Sequence, residues 1–216
     1  MQARYSASIR GLPWNVVLGI VTIRGVESGS LQMAVDSLGR AVLRQAEGNH
    51  PDLTRRMKAF ESFFAANNLR SPLAGQFEAM RSRGTPGGSP LVQALLLLEM
   101  NTGLLMGAQD AGAIKGELLC DLAAEGEIFR GMRTEVQCRK DEILLRDSEG
   151  IIAALLQGPD YRTRLKNSTK DLVFFVFSVP GITLHEAQDG VQAVRNLFKD
   201  ACAEIQAQVY QSSDSV

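Results

Sequence analysis

The pattern of apolar positions changes character several times along the chain. Residues 16 to 26, VVLGIVTIRGV, form a nearly continuous β-branched run that stops before Glu-Ser-Gly-Ser, which predicts a buried strand followed by a break. A helical period then takes over. Leu31, Val35, Leu38, Val42 and Ala46 share one face of a helix from about 31 to 46, with Ser30 as its N-cap. Asn49-His50-Pro51-Asp52 punctuates, and a second helix runs to about Asn67 on Leu53, Met57, Phe60, Phe63 and Phe64. The glycine- and proline-rich stretch GTPGGSP, residues 84 to 90, predicts a loop. Residues 91 to 100 predict a third helix, apolar almost all round and therefore central.

From Leu104 to Val179 short apolar runs alternate with Gly, Asp and Glu, which reads as several short strands. The last of them, 172 to 179, is continuous enough to be buried on both faces and ends at Pro180-Gly181. A closing amphipathic helix is predicted over about 184 to 210, with Ala187, Val191, Val194, Leu197, Phe198, Ala201 and Ile205 on one side. Strands clustered rather than alternating with helices favour an α+β fold over a doubly wound sheet. The expected layout is one domain over residues 1–211. Residues 1–90 supply the N-terminal strand and helices, 91–211 the strand-rich core with a pocket and the closing helix, and 212–216 a flexible tail.

Composition narrows the classes. With 216 residues, 45% of them hydrophobic, and a formal net charge of −1, the chain can bury a sizeable core and is neither disordered nor collagen-like. The near-neutral balance argues against coating nucleic acid by bulk electrostatics, while leaving a small contact site open. Three cysteines (Cys120, Cys138, Cys202) and two histidines (His50, His185) lack the spacing of a zinc or iron–sulfur site, so neither metal nor cofactor is expected. Unpaired thiols point to a reducing, cytoplasmic location. No secretory signal is visible, and no apolar run reaches the roughly 18 to 20 residues of a spanning helix, so no membrane partner is expected.

Candidate chemistry is sparse. There is no GxGxxG after a strand, no GxxxxGK[ST], no HExxH and no GxSxG. The 84–90 loop could offer N–H groups to a phosphate, although such loops are mostly connectors. Basic clusters lie at Arg55, Arg56 and Lys58, at Arg81 and Arg83, and at Arg162, Arg164, Lys166 and Lys170. Asp110, Glu117, Glu125, Glu127, Asp147 and Asp160 punctuate the strand-rich half, where carboxylates can hold a cationic ligand, orient a water, or simply close turns. Spacing alone stops at a soluble α+β domain.

Residues 103 to 127, GLLMGAQDAGAIKGELLCDLAAEGE, carry more. The series Gly103, Gly107-Ala108-Gln109-Asp110, Ile114-Lys115-Gly116 and Ala124-Glu125-Gly126-Glu127 resembles the editing (B3/B4) domain of the phenylalanyl-tRNA synthetase beta subunit, and more closely its standalone relatives. Downstream, Asp147-Ser148-Glu149-Gly150, Thr163-Arg164-Leu165 and Thr169-Lys170-Asp171-Leu172 are similar to further blocks of that family. Pro13-Trp14 with the strand after it, and the helix of Phe60, Phe63 and Phe64 followed by Arg83-Gly84, extend the likeness to about residues 10 to 205. Each block is weak alone; their order and spacing carry the resemblance.

The resemblance implies a B3/B4-type fold and hydrolytic editing of a misacylated tRNA, acting in trans, without a metal or a covalent nucleophile. Positioned water and backbone N–H donors suffice for an activated aminoacyl ester. In the synthetase domain the positions of Gly107 and Phe175 are a histidine and a glutamate that face the rejected tyrosine. A site with Gly and Phe there cannot hydrogen-bond a phenol, so tyrosyl-tRNA(Phe) is not the expected substrate. The standalone branch includes deacylases of canavanyl-tRNA(Arg), whose cationic tail would suit a carboxylate. The site so implied has Asp110, Asp160 and Thr163 as catalytic residues. Gly107, Gln109, Lys115, Gly116, Glu117 and Glu127 would bind the misacylated amino acid, and Arg162, Arg164 and Lys166 the tRNA acceptor end. The alternative is a non-catalytic amino-acid or tRNA-end binding module of the same fold.

Overall fold

The two longest apolar runs pair with each other. In the computed structural model of the protein, which describes residues 1–46, 48 and 50–214, Val17–Arg24 (β2) and Leu172–Phe177 (β10) are antiparallel neighbours in the middle of a four-stranded sheet. Met106–Asp110 (β3) and Glu204–Gln211 (β11) flank them in the order β11-β2-β10-β3. Both faces of β10 are covered, so all six of its residues are buried and no polar alternation survives. On one face lies Leu184–Phe198 (α6), which approaches so closely that a Cβ at Gly19 would stand 2.4 Å from Val191 Cγ2. Ser28–Gln45 (α2) and Pro90–Thr102 (α5) pack beside α6.

A second, five-stranded sheet has the order β1-β4-β7-β8-β9: Ala3–Tyr5, Leu118–Leu122, Ile143–Asp147, Gly150–Ala154 and Gly158–Pro159. It meets the first where the Gln109 side chain of β3 donates to the Ile152 carbonyl of β8 at 2.8 Å. Ile128–Arg130 (β5) and Glu135–Gln137 (β6) form a separate hairpin. Helices Ala7–Arg10 (α1), Pro51–Ala66 (α3) and Pro72–Arg83 (α4) complete the mixed α+β architecture.

Four expectations are corrected. Helix α2 starts at Ser28 rather than Leu31 because Glu27 is the cap, its carboxylate accepting the Ser30 N–H at 2.7 Å. Helix α4 goes unanticipated because its apolar face is reduced to Leu73, Phe77 and Met80. The closing helix stops at Phe198, and residues 204–211 become β11, in register with β2 from Glu204↔Arg24 to Gln211↔Val17. Ile205 and Val209 fit a helical period as well as an alternating one. The open edge of β2, which needs hydrogen-bond partners, decides for the strand. The tail, expected to be loose, is tied at its start. Ser212 donates its N–H to the Val16 carbonyl, and its Oγ accepts the Val16 N–H, both at 2.9 Å. Tail residues 215 and 216, and Asn49 of the predicted break, lie outside the described residues.

Candidate functional site

A cavity of about 310 Å³ opens between β3 and the turn joining β8 to β9, with the ends of α3 and α4 above it. Its wall is apolar, formed by Phe64, Leu105, Met106, Leu156, Pro159 and Phe177 among others, and Gly107 contributes bare backbone. The cross-strand partner of Gly107 is Phe175, which is fully buried behind the wall. A Cβ at Gly107 would lie 3.4 Å from Phe177 Cε2, in contact rather than in collision. The missing side chain is therefore free space. Arg70, exposed at the mouth, is the charged residue among those lining the cavity.

The edge of β3 shapes the polar side of this space. Phe177 donates its N–H to the Leu105 carbonyl, so odd-numbered β3 residues bond to β10 and the N–H groups of Met106, Ala108 and Asp110 point outward. Met106 gives its N–H to Glu99 Oε1 at 2.9 Å, and Asp110 gives its own to the Thr163 carbonyl at 2.8 Å. The Ala108 N–H has no acceptor among the described residues. Glu99 lies wholly enclosed between α5 and β3, and that burial pushes its carboxyl up to about 7 against the Met106 and Gln76 hydrogen bonds.

The opposite rim depends on another acid. Glu142 is buried, with Oε1 accepting the Leu156 N–H at 2.9 Å and Oε2 the Arg139 N–H at 3.1 Å, which fixes the β8–β9 turn. Burial raises its carboxyl above the ordinary range despite those amides. Glu99, Glu142 and Arg70 escape sequence reasoning, and Ala108, though inside the Gly107–Asp110 block, is not singled out by it. Glu99 does interrupt the apolar run of α5 and so leaves a signal, whereas an outward backbone N–H leaves none.

The residues expected at the site fall into separate places. Gly107 and Gln109 line the cavity. Gln109 is fully buried, and its Oε1 accepts the Thr163 hydroxyl at 2.5 Å. Thr163 is fully buried too, and its N–H goes to Asp160 Oδ1 at 3.1 Å. Asp110 accepts the Gly112 N–H at 3.0 Å and the Thr169 hydroxyl at 2.8 Å. Asp110, Asp160 and Thr163 thus close turns beside the cavity and do not line it.

Lys115, Gly116 and Glu117 sit on an exposed turn, where Glu117 lies 4.0 Å from Arg4. Glu127 pairs with Arg146, whose Nη2 donates at 2.6 Å and whose Nε reaches Asp121 at 3.1 Å. The hydrogen bonds from Arg146 hold the Glu127 carboxyl below its usual value. Arg162 is committed as well: it donates to both oxygens of Asp147, at 2.8 and 3.0 Å, and to the Ala113 carbonyl at 2.8 Å. Burial of Asp147 opposes its ionisation, but Arg162 and the Lys115 and Glu149 N–H groups outweigh that and hold its carboxyl low. Arg164 lies over the Tyr161 ring, and Lys166 is exposed.

A shallower groove of about 750 Å³ runs between the end of α2, α3 and α4, lined by Gln45, His50, Glu78 and Arg81 among others, away from all of these residues. Among the described residues no cluster of His, Cys, Asp or Glu could hold a metal ion, and no helix is long and apolar enough to cross a membrane.

No protein-family model matches the chain, and no curated protein is similar to it in sequence. Among solved structures, it is similar to an N-terminal fragment of the phenylalanyl-tRNA synthetase beta-subunit from Pyrococcus horikoshii, with a TM-score of 0.55 and 11% identity. The match covers 99% of this chain and 54% of the other, so the chain spans about half the length of that fragment. At this identity the likeness is a distant relationship of fold.

Proposed function

We propose that the protein is a trans-acting aminoacyl-tRNA deacylase whose cavity takes an uncharged amino-acid side chain. The observation that carries this reading is an apolar cavity of about 310 Å³ with the Ala108 N–H, a main-chain donor without an acceptor among the described residues, at its edge. A donor fixed beside a dry pocket is suited to the oxygen of an ester carbonyl as it gains negative charge. Water adds to the carbonyl carbon, and the bond from that carbon to the ribose oxygen breaks. The ribose oxygen takes a proton derived from the water, giving a free amino acid and an intact RNA end. The terminal ribose hydroxyl beside the ester can assist the water, so the cavity needs no side-chain base.

The same geometry argues against a cationic tail. Asp110, Glu117 and Glu127 are spent on other partners or exposed, and Arg70 at the mouth would repel a second cation. Canavanyl-tRNA(Arg) is therefore expected to turn over more slowly than tRNA carrying an apolar amino acid of leucine to phenylalanine size. Ester loss across a panel of misacylated tRNAs tests this. Gly107→Val should fill the cavity and lower hydrolysis at least tenfold, because the added isopropyl group occupies the substrate's space, with little change in melting temperature. No carboxylate or imidazole lies among the described residues that line the cavity, which favours one other reading, a non-catalytic amino-acid binding module. Stabilisation by free amino acids without turnover of any ester would put that module in place of the enzyme.

A further inference from the structure

The hairpin of β5 and β6 presents a surface that the cavity does not use. The Arg130 guanidinium lies 4.8 Å from the centre of the Tyr161 ring and that of Arg164 lies 3.6 Å from it, so one half-buried aromatic ring orders two cations. Backbone bonds hold the group: the Tyr161 N–H donates to the Arg130 carbonyl, and Arg164 Nη1 donates to the Tyr161 carbonyl, both at 2.7 Å. Neither guanidinium forms an ion pair with a carboxylate of the described residues. The nearest acid by register is Glu135, opposite Arg130. Exposed Ile128 and Met132 flank Arg130 on the hairpin.

We propose that Arg130, Tyr161 and Arg164 form a binding surface for a single-stranded RNA end. Its bases would stack on the guanidinium–aromatic layer, and its phosphates would pair with the two arginines. Flat cations held against an aromatic ring offer planes to bases of any sequence, and their unpaired charge suits a phosphate better than a neutral partner. A compact pair of this kind grips a short segment and leaves the net charge of the chain near zero. Chain continuity links it to the cavity. Pro159 on the rim is two residues before Tyr161, and Arg164 is bridged to Gln109 of the cavity wall. A polymer whose last unit reaches the cavity would lay the preceding units across this surface. The identification of the RNA as a tRNA 3′ end rests on the deacylase reading; the surface itself does not require hydrolysis.

Fluorescence anisotropy with a labelled eight-nucleotide RNA, single-stranded or annealed to its complement, tests the surface on the full chain. The single strand should bind more tightly than the duplex, and Tyr161→Ala should weaken it about tenfold. Arg130→Gln, at an exposed position that leaves folding intact, should reduce the slope of log affinity against log salt by about 0.7, the loss of one phosphate contact. Unchanged affinity and slope in both variants overturn the surface, as does equal binding of the duplex or equal competition by polyglutamate. Ester hydrolysis read in parallel separates the two proposals. Binding lost in the variants of a protein that hydrolyses no ester upholds the surface and removes the enzyme. Hydrolysis accompanied by RNA binding that neither variant disturbs does the reverse.

Discussion

The cavity wall and the polar edge beside it are built by opposite means. The wall is apolar side chains from β3, the β8–β9 turn and the α3–α4 junction, with free space left by Gly107. The edge is a set of acids, each closing a turn: Asp110 on Gly112 and Thr169, Asp147 on Lys115 and Arg162, Asp160 on Thr163. The residues that look most like chemistry are those whose hydrogen-bonding capacity the fold itself consumes. The space left for a ligand is bounded mostly by apolar side chains and bare backbone. A polar side chain near a pocket counts toward its chemistry only if a lone pair or proton is left over.

The largest expected effect lies behind the wall, at Glu99. Its folded-state value of about 7 stands above the ordinary 4.5, so the folded chain holds the proton more tightly than the unfolded one. The contribution of Glu99 to stability should be fully present below about pH 4.5 and fall by roughly 3 kcal/mol as the pH rises to 7 and beyond. Glu99→Gln should keep the Met106 contact and flatten that slope in urea titrations between pH 5 and 8. A wild-type profile already flat would mean that the wall tolerates a charge, and the contrast with the edge would fail.

A somewhat smaller effect is expected on the edge. Arg162→Ala leaves the fully enclosed Asp147 carboxylate without its guanidinium and should cost about 2 to 3 kcal/mol at pH 7. Because the partner holds the Asp147 carboxyl low, the cost should shrink as acid protonates it. Loss of RNA binding with unchanged stability would instead make Arg162 a ligand contact and break the assignment of this edge to structure. The smallest effect is expected at Glu117→Gln. An exposed acid 4.0 Å from Arg4 should change stability by no more than about 0.5 kcal/mol and leave hydrolysis as it was. A drop in hydrolysis there would put the exposed 115–117 turn back into the site.

Much of the scaffold is legible in the sequence where burial is extreme. The runs at 16–26 and 172–179 read as buried strands and hold β2 and β10, and the helix read at 91–100 as central is α5, packed beside α2 and α6. Where two periods fit the same residues, local pattern fails. Ile205 and Val209 suit a helix or a strand, and the unpaired edge of β2 made the choice. Gly107 and Gln109, which the resemblance implies as binding residues, lie on β3 where it forms the cavity wall. The pairing of Glu127 with Arg146, 19 residues away, leaves no local signal.

The sequence by itself determined which segments must be buried, a charge too balanced for bulk attraction to nucleic acid, and a shortage of soft metal ligands. Only the tertiary structure decided what each polar side chain does. Thr163 meets Gln109 across 54 residues, and Arg162 meets Asp147 across 15. Whether an acid or hydroxyl is free or spent depends on which distant donor the fold brings within about 3 Å of it. Burial is written in composition and period, whereas hydrogen-bond satisfaction is a property of pairs that only folding assembles.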